Sequence, residues 1–170
     1  MRLKISLSDC SKEQYAAAAL RLALGWTFIW AFLDKLIGLG YSTSSEGAWI
    51  NGGSPTSGFL NYATTGPLAG FYQDLAGNAA VDVLFMLALL MLGVTLILGV
   101  GMKVAAISGS ALMLLMWSSR LPPENNPVLD DHIVYMVALI LLALIGAGQW
   151  LGLGKWWSEQ ALVKRFPILQ

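Results

Sequence analysis

Cysteine, histidine and charged residues are scarce in this chain of 170 residues. The single cysteine, Cys10, excludes an intramolecular disulfide and a dithiol redox pair within the chain. Charged residues make up only 12% of the sequence, and ten basic residues balance ten acidic ones. This balance gives no indication of nucleic-acid binding, because such a surface needs an excess of basic residues.

The scarcity of histidine also limits the cofactors to be expected. His132 and the scattered acidic residues show no metal-ligand spacing of a known type, so we expect no metal ion. We expect no haem either. Its second axial ligand would have to be a methionine, and the seven methionines fit lipid-facing or core positions.

Apolar residues are abundant and make up 56% of the chain. They concentrate in four segments, at about 15–39, 81–100, 104–119 and 132–151. Each is long enough, or nearly so, to cross a hydrocarbon layer about 30 Å thick. The first is too long for a signal-peptide core and lacks a following cleavage site, so we expect a retained helix. The sequence predicts an all-α, polytopic membrane protein: one domain, 1–170, built as a four-transmembrane-helix bundle.

Basic residues are distributed unevenly among the connections. They precede the first segment, occupy the tight second connection or follow the fourth segment: Arg2, Lys4, Lys12, Lys103, Lys155, Lys164 and Arg165. The loop 40–80 contains no lysine or arginine at all. By the positive-inside rule, we expect a multi-pass protein of the cell membrane with both termini in the cytoplasm and this loop outside.

The outer loop 40–80 carries too many apolar residues to hang freely in water. Ser54-Pro55 and Gly66-Pro67 each indicate a helix start. The sequence therefore predicts two short helices, at about 56–63 and 68–76. They either cover the outer end of the bundle as a lid or lie among the lipid headgroups as surface helices.

Ionisable residues of all four segments gather at the outer end of the predicted bundle. Asp34 and Lys35 are followed by further apolar residues, which indicates a partly buried Asp–Lys pair. Histidine is the side chain that exchanges protons near neutral pH, and His132 follows Asp130 and Asp131. We expect either aspartate to cap the fourth helix, and Asp131 to orient the imidazole.

Simpler interpretations remain open for these residues. Asp82, Arg120 and Asp130 fit ordinary places at the membrane interface, where charge costs little. The sequence is equally consistent with a His132 that lies near the helix cap and has no catalytic role. Arg21 lies two turns inside the first segment, and we expect it to bind backbone carbonyls, Gln149 or lipid phosphate.

Aromatic residues could line an apolar slot near the same end. Trp26 and Trp30 are spaced four residues apart, with Asp34 four residues further, which predicts a common helix face. Tyr135 lies one turn after His132. These three aromatic residues are the candidate quinone-binding residues. The candidate catalytic residues are His132, Asp131, Asp34 and Lys35.

Three stretches of the sequence share a pattern with a known family. They are Arg21…Gly25…Phe28…Asp34-Lys35-Leu36, the run WINGGSPTSGFL at 49–60, and the run NPVLDDHIVY at 126–135. In order and spacing they resemble the DoxX/DoxD family of small four-helix membrane proteins, over nearly the whole chain. The resemblance implies a four-helix bundle. It also implies kinship with the membrane subunits of thiosulfate:quinone oxidoreductase, where electrons from thiosulfate pass to a membrane quinone.

Two functions agree with these observations. The chain is either a quinone-linked oxidoreductase subunit with its site at the outer end of the bundle, or a non-catalytic accessory or assembly subunit of a membrane complex. The first function requires quinone as cofactor and a partner subunit or donor, because no residue here carries electrons itself. The second follows from the absence of a complete cofactor motif. In either case we expect the lipid bilayer, and a partner subunit or further copies of the chain, as partners.

Overall fold

The computed structural model describes residues 11–170, and every regular element within that range is helical. The α-helices are α1 (Lys12–Ile37), α2 (Ser57–Tyr62), α3 (Ala69–Gln73), α4 (Ala79–Leu98), α5 (Met102–Ser118), α6 (Asp131–Leu144), α7 (Gly154–Ser158) and α8 (Ala161–Arg165). Short 3₁₀ turns cover Trp49–Asn51, Gly66–Leu68, Ala147–Gln149 and Pro167–Leu169. The predicted all-α class is confirmed for these residues. Arg2, Lys4 and Cys10 lie outside them.

The long helices α1, α4, α5 and α6 correspond to the four predicted apolar segments. α1, with 26 residues, and α4, with 20, are long and apolar enough to cross a membrane, whereas α5 and α6 are apolar but shorter. The prediction that the fourth helix continues to residue 151 is wrong. α6 ends at Leu144 because Gly146 adopts a left-handed conformation, with φ +67°, which favours glycine and ends a helix.

Local side-chain caps fix where α1 and α6 begin. Ser11 and Gln14 form a reciprocal capping box at the start of α1. At the start of α6, the side chain of Asp130 accepts a hydrogen bond from the N–H of Ile133. Asp130 is one of the two residues that the sequence favours for this role, and the capping prediction is confirmed.

The four long helices pack in the order α1, α4, α5, α6, and α6 also contacts α1. Glycines bring the backbones of α1 and α4 close together, because Ile97 packs on Gly25 and Ile29 packs on Gly93. A Cβ at Gly93 would stand 2.9 Å from the backbone nitrogen of Ile29. Such close approach multiplies van der Waals contacts between helices.

The helix bundle has two chemically different ends. The loop end carries Ile37, Ala79, Ser118 and Asp131, and the tail end carries Lys12, Leu98, Met102 and Leu144. Within residues 11–170, seven of nine acidic residues lie at the loop end, whereas six of eight basic residues lie toward the tail end. This separation of charge runs along the helix axes.

Apolar side chains cover much of the outside of the bundle as well as its core. Leu84, Leu87 and Met91 follow one exposed face of α4. On α5 and α6 the exposed apolar residues include Val104, Ile107, Leu114, Leu115, Val134, Val137, Leu141 and Leu144. Soluble monomers rarely expose apolar surface of this extent.

The segment 38–78 is folded onto the loop end and contains both predicted short helices, as α2 and α3. Leu60 and Tyr72 bury their side chains there. The N–H of Thr65 donates a hydrogen bond of 2.9 Å to the carbonyl of Ser119. The hydroxyls of Tyr72 and Ser118 lie 2.6 Å apart. These contacts hold the segment 38–78 against the end of α5, as the lid arrangement requires. We call this segment the lid.

Candidate functional site

Asp34 is a buried carboxylate that binds the start of the lid. It lies in the last turn of α1 with 1% of its surface exposed. Its Oδ2 accepts a hydrogen bond of 2.6 Å from the hydroxyl of Ser42 and one of 3.0 Å from the Ser42 N–H. Its Oδ1 accepts one of 3.2 Å from the N–H of Tyr41. A carboxylate with several such donors fixes the loop that supplies them.

Asp82 holds the middle of the lid in the same way. It lies in the first turn of α4, and its Oδ1 accepts hydrogen bonds from the hydroxyl of Ser54 at 2.9 Å and the hydroxyl of Thr56 at 2.6 Å. The N–H of Thr56 is a third donor, at 3.2 Å. Asp82 therefore does more than occupy a helix end, because it ties the lid to α4.

Lys35 interacts electrostatically with Asp34 but does not form the close ion pair that the sequence predicts. No ion pair of 4 Å or less joins the two side chains in the described part of the chain. Consecutive residues of a helix point in different directions, and Asp34 turns inward to the lid while Lys35 stays half-buried.

His132 forms a close pair with Asp130 at the start of α6. The Nδ1 atom of His132 lies 2.7 Å from Oδ2 of Asp130, and both side chains are largely buried. Asp131, the predicted partner, lies 3.5 Å from the same nitrogen and is mostly exposed. The structure thus places Asp130 nearer than Asp131 as the residue that orients the imidazole.

The Asp130 carboxylate is held in its charged form. Burial raises its pKa, but hydrogen bonds from His132 and from the N–H of Ile133 outweigh that effect, so the pKa lies below its ordinary value. A charged carboxylate on Nδ1 fixes the ring orientation and leaves Nε2 for proton exchange. The pair has the arrangement of an oriented proton acceptor.

A cavity of about 460 Å³ at the loop end is lined in part by Asp130 of this pair. Its walls are mainly polar: Arg120, Pro123, Glu124, Asn125, Leu129, Asp130 and Asp131. Asp130, Asp131 and His132 each offer a ligand atom within 4.8 Å of the others, a grouping that would suit a metal ion. The sequence predicts no metal, because one histidine and scattered acidic residues show no known ligand spacing, and this stays a prediction.

The predicted aromatic wall is divided between two places. Trp26 is 54% exposed on the outside of α1, and its ring lies 5.8 Å from that of Trp30. Trp30 in turn contacts the ring of Tyr41 at 5.1 Å. Tyr135 packs against the core of the bundle, one turn from His132. No hydrogen bond or ring contact within residues 11–170 links the two tryptophans to His132.

Arg21 forms the main polar junction of the tail end. Its side chain is fully buried, and its guanidinium donates to the carbonyls of Leu96 and Ile97 in the last turn of α4. It also donates to the carbonyls of Trp150 and Leu151, at 3.1 and 3.0 Å. The expectation that Arg21 binds backbone carbonyls is confirmed. Helix C-termini leave carbonyls unpaired and carry partial negative charge, so they suit a cation.

The lid contacts of Asp82 were not expected from the sequence, and the partners of Arg21 were expected only in part. The sequence favours Asp82 as a residue of the membrane interface. The hydroxyl groups of Ser54 and Thr56 are the feature of the sequence that could have indicated its hydrogen-bond partners. Arg21 was recognised as unusual, but the segment around Trp150 that it binds was assigned to a helix.

Comparison of the chain with protein-family models, curated proteins and solved structures found no match.

Proposed function

We propose that α1, α4, α5 and α6 span the cell membrane, with the loop end outside and the tail end in the cytoplasm. The exposed apolar faces of α4, α5 and α6 support this placement, because lipid is the solvent that favours them. The charge separation supports the orientation, since basic residues are retained on the cytoplasmic side.

The short α6 is compatible with a membrane span. Its 14 residues form about 21 Å of helix, and the Ala147–Gln149 turn follows at the tail end. Non-helical backbone at membrane depth is tolerated where protein groups satisfy it. Arg21 supplies such donors to the carbonyls of Trp150 and Leu151.

Membrane insertion is testable by alkaline carbonate extraction of cell membranes. We expect the full chain to stay in the membrane pellet and to be released only by detergent. Release by carbonate at high pH would contradict the spans, because only peripheral proteins leave the bilayer under that treatment.

Within the membrane, we propose that the chain is the quinone-linked subunit of an oxidoreductase related to the DoxX/DoxD proteins it resembles. The single observation that carries this proposal is the His132–Asp130 pair, with Nδ1 and Oδ2 at 2.7 Å. A quinone supplies two-electron chemistry that requires protons to be taken up or released. Reduction of a quinone to a quinol consumes two protons, which Nε2 of His132, oriented through Nδ1, takes from water and passes to the quinone oxygens.

The residues around His132 fit the polar part of a quinone site better than its apolar part. Tyr135 is the aromatic residue that shares the His132 face of α6, so the proposal assigns ring contact to Tyr135. The polar walls of the adjoining cavity suit water and proton exchange. Trp26 and Trp30 form a separate surface pair, and Asp34 holds the lid. A partner subunit or diffusible donor supplies the electrons.

The redox role is tested by replacing the pair without removing the helix cap. Asp130→Asn keeps a capping side chain but removes its charge, and His132→Gln removes the imidazole. We expect the complex isolated from its native membrane to reduce quinone at least tenfold more slowly with His132→Gln, since positioned acid–base groups contribute about 10²–10⁴-fold. Asp74→Asn, at an exposed lid position, is the matched control. Unchanged turnover of folded His132→Gln protein would contradict the role.

An accessory or assembly role is the second candidate, and the lid favours it. Asp34 and Asp82 accept hydrogen bonds from lid residues and so hold the lid in place. The outer surface of the lid exposes Tyr41, Tyr62 and Phe71. A surface of this kind suits contact with another subunit. Purification in mild detergent discriminates the candidates. A stoichiometric partner that is lost on Tyr62→Ser, in a complex whose quinone turnover His132→Gln leaves unchanged, supports the accessory role, whereas loss of quinone turnover with His132→Gln in the intact complex opposes it.

A further inference from the structure

The C-terminal segment of the tail end carries a surface that the proposed redox site does not use. Three basic and three apolar side chains of this segment are exposed close together in the sequence. We name this surface the tail patch and define it by Lys155, Trp156, Leu162, Lys164, Arg165 and Phe166.

The tail patch is held in a fixed position on the bundle. Val163, in the middle of α8, is fully buried, so its neighbours Leu162 and Lys164 face outward. The indole N–H of Trp157 donates to the carbonyl of Leu169. The ammonium of Lys103 donates to the carbonyl of Pro167 at 3.0 Å. A surface that is anchored in this way needs little ordering when it binds.

The chemistry of the tail patch fits the surface of an anionic membrane. Trp156 and Phe166 are the kind of side chains that enter the headgroup layer, and the Arg165 guanidinium lies 5.5 Å from the centre of the Phe166 ring. Lys155, Lys164 and Arg165 provide three positive charges, while Glu159 is the acidic residue of the same segment. Basic residues beside exposed aromatic residues are typical of segments that lie on anionic lipids.

We infer that the tail patch docks on the cytoplasmic leaflet by binding the phosphate headgroups of anionic phospholipids. This inference rests on the proposed membrane orientation, which places the tail end in the cytoplasm. It is independent of quinone chemistry, because His132 lies at the opposite end of the bundle. Its failure is also distinguishable from failure of membrane insertion, which carbonate extraction reports separately.

The test uses the full chain purified in a neutral detergent. Phosphatidylglycerol is titrated into it, with phosphatidylcholine and inorganic phosphate in parallel, and the thermal unfolding midpoint is measured. We expect phosphatidylglycerol to raise the midpoint by about 3–5 °C, because ligands stabilise the state that binds them. Phosphatidylcholine and inorganic phosphate should leave it nearly unchanged. An equal response to both lipids, or to inorganic phosphate alone, would overturn the inference.

Variants locate the effect on the tail patch. The triple variant Lys155→Gln, Lys164→Gln, Arg165→Gln should lose the preference for phosphatidylglycerol. The control Arg120→Gln, which removes a partly exposed cation at the loop end, should keep this preference. If the triple variant does not fold, the three single variants serve, and each should weaken the lipid affinity about fivefold. Unchanged affinity in all three would equally overturn the assignment.

Discussion

The hydroxyl of Thr56 donates a 2.6 Å hydrogen bond to the carboxylate of Asp82, which lies 26 residues later in the chain. Asp34 accepts a bond of the same length from Ser42. Two helices therefore present buried carboxylates to two hydroxyl-bearing turns of the same loop. A segment that would otherwise be a long connector becomes a fixed cover for the loop end.

Asp82→Ala should loosen this cover. The Thr56 hydroxyl and N–H and the Ser54 hydroxyl would lose a charged acceptor in a buried place, so we expect the free energy of unfolding to fall by about 3 kcal/mol. Limited proteolysis of the lid should accelerate in parallel. Asp74→Ala, an exposed lid aspartate, is the control and should change neither quantity. Equal proteolysis of both variants would refute the anchoring role.

Arg21→Met should destabilise the tail end. It removes the donors of four carbonyls while keeping a long apolar side chain, and buried unpaired groups each cost about 1–3 kcal/mol. We expect a loss of roughly 3–5 kcal/mol in detergent unfolding experiments. Arg120→Met, at a partly exposed site, should cost less than about 1 kcal/mol. Similar losses in both variants would show that the carbonyl contacts of Arg21 contribute little.

Gly93→Ala should separate α4 from α1. The added methyl would meet the backbone of Ile29, which cannot move without displacing the helix, so we expect destabilisation by about 1–3 kcal/mol. Gly58→Ala is the matched control in α2. A Cβ there meets nothing within 4 Å, and alanine favours helix, so stability should stay constant or rise. Thermal unfolding of the two variants measures the difference, and a stable Gly93→Ala protein would argue against the close packing.

Acid should weaken the start of α6 through Asp130. Because the pKa of this carboxyl is lowered in the folded chain, its charged form stabilises folding above pH about 4. That contribution is lost as the pH falls through the lower folded value. Asp130→Asn keeps the cap but does not titrate, so its unfolding midpoint should fall less steeply as the pH is lowered below about 5. Identical slopes for Asp130→Asn and the unaltered chain would contradict the prediction.

The sequence predicted the elements that depend on local pattern. The apolar segments marked the four long helices, and Ser54-Pro55 and Gly66-Pro67 marked α2 and α3. The end of α6 was missed because Gly146 follows an apolar run, where glycine is common in membrane-type helices and need not end them. Whether Gly146 adopts a left-handed conformation depends on the contacts that the following segment makes.

The site was harder to predict because its contacts are not local. Asp34 was placed on the face of Trp26, but eight residues advance a helix by about 80° beyond full turns, so one side chain is buried and the other exposed. The choice of Asp130 over Asp131 as partner of His132 follows from its position as the cap. Whether the fourth helix would begin after Asp130 or after Asp131 was left open by the sequence.

The proposed placements of the redox site and the tail patch both depend on the orientation of the bundle in the membrane. The direct measurement is labelling of intact cells with a membrane-impermeant maleimide. Cys10 is first replaced by serine, and one new cysteine is introduced at exposed Ser45 in the lid or exposed Glu159 in the tail. We expect Ser45→Cys to be labelled in intact cells, whereas Glu159→Cys should be labelled only after permeabilisation. Labelling of Glu159→Cys but not Ser45→Cys in intact cells would contradict this orientation.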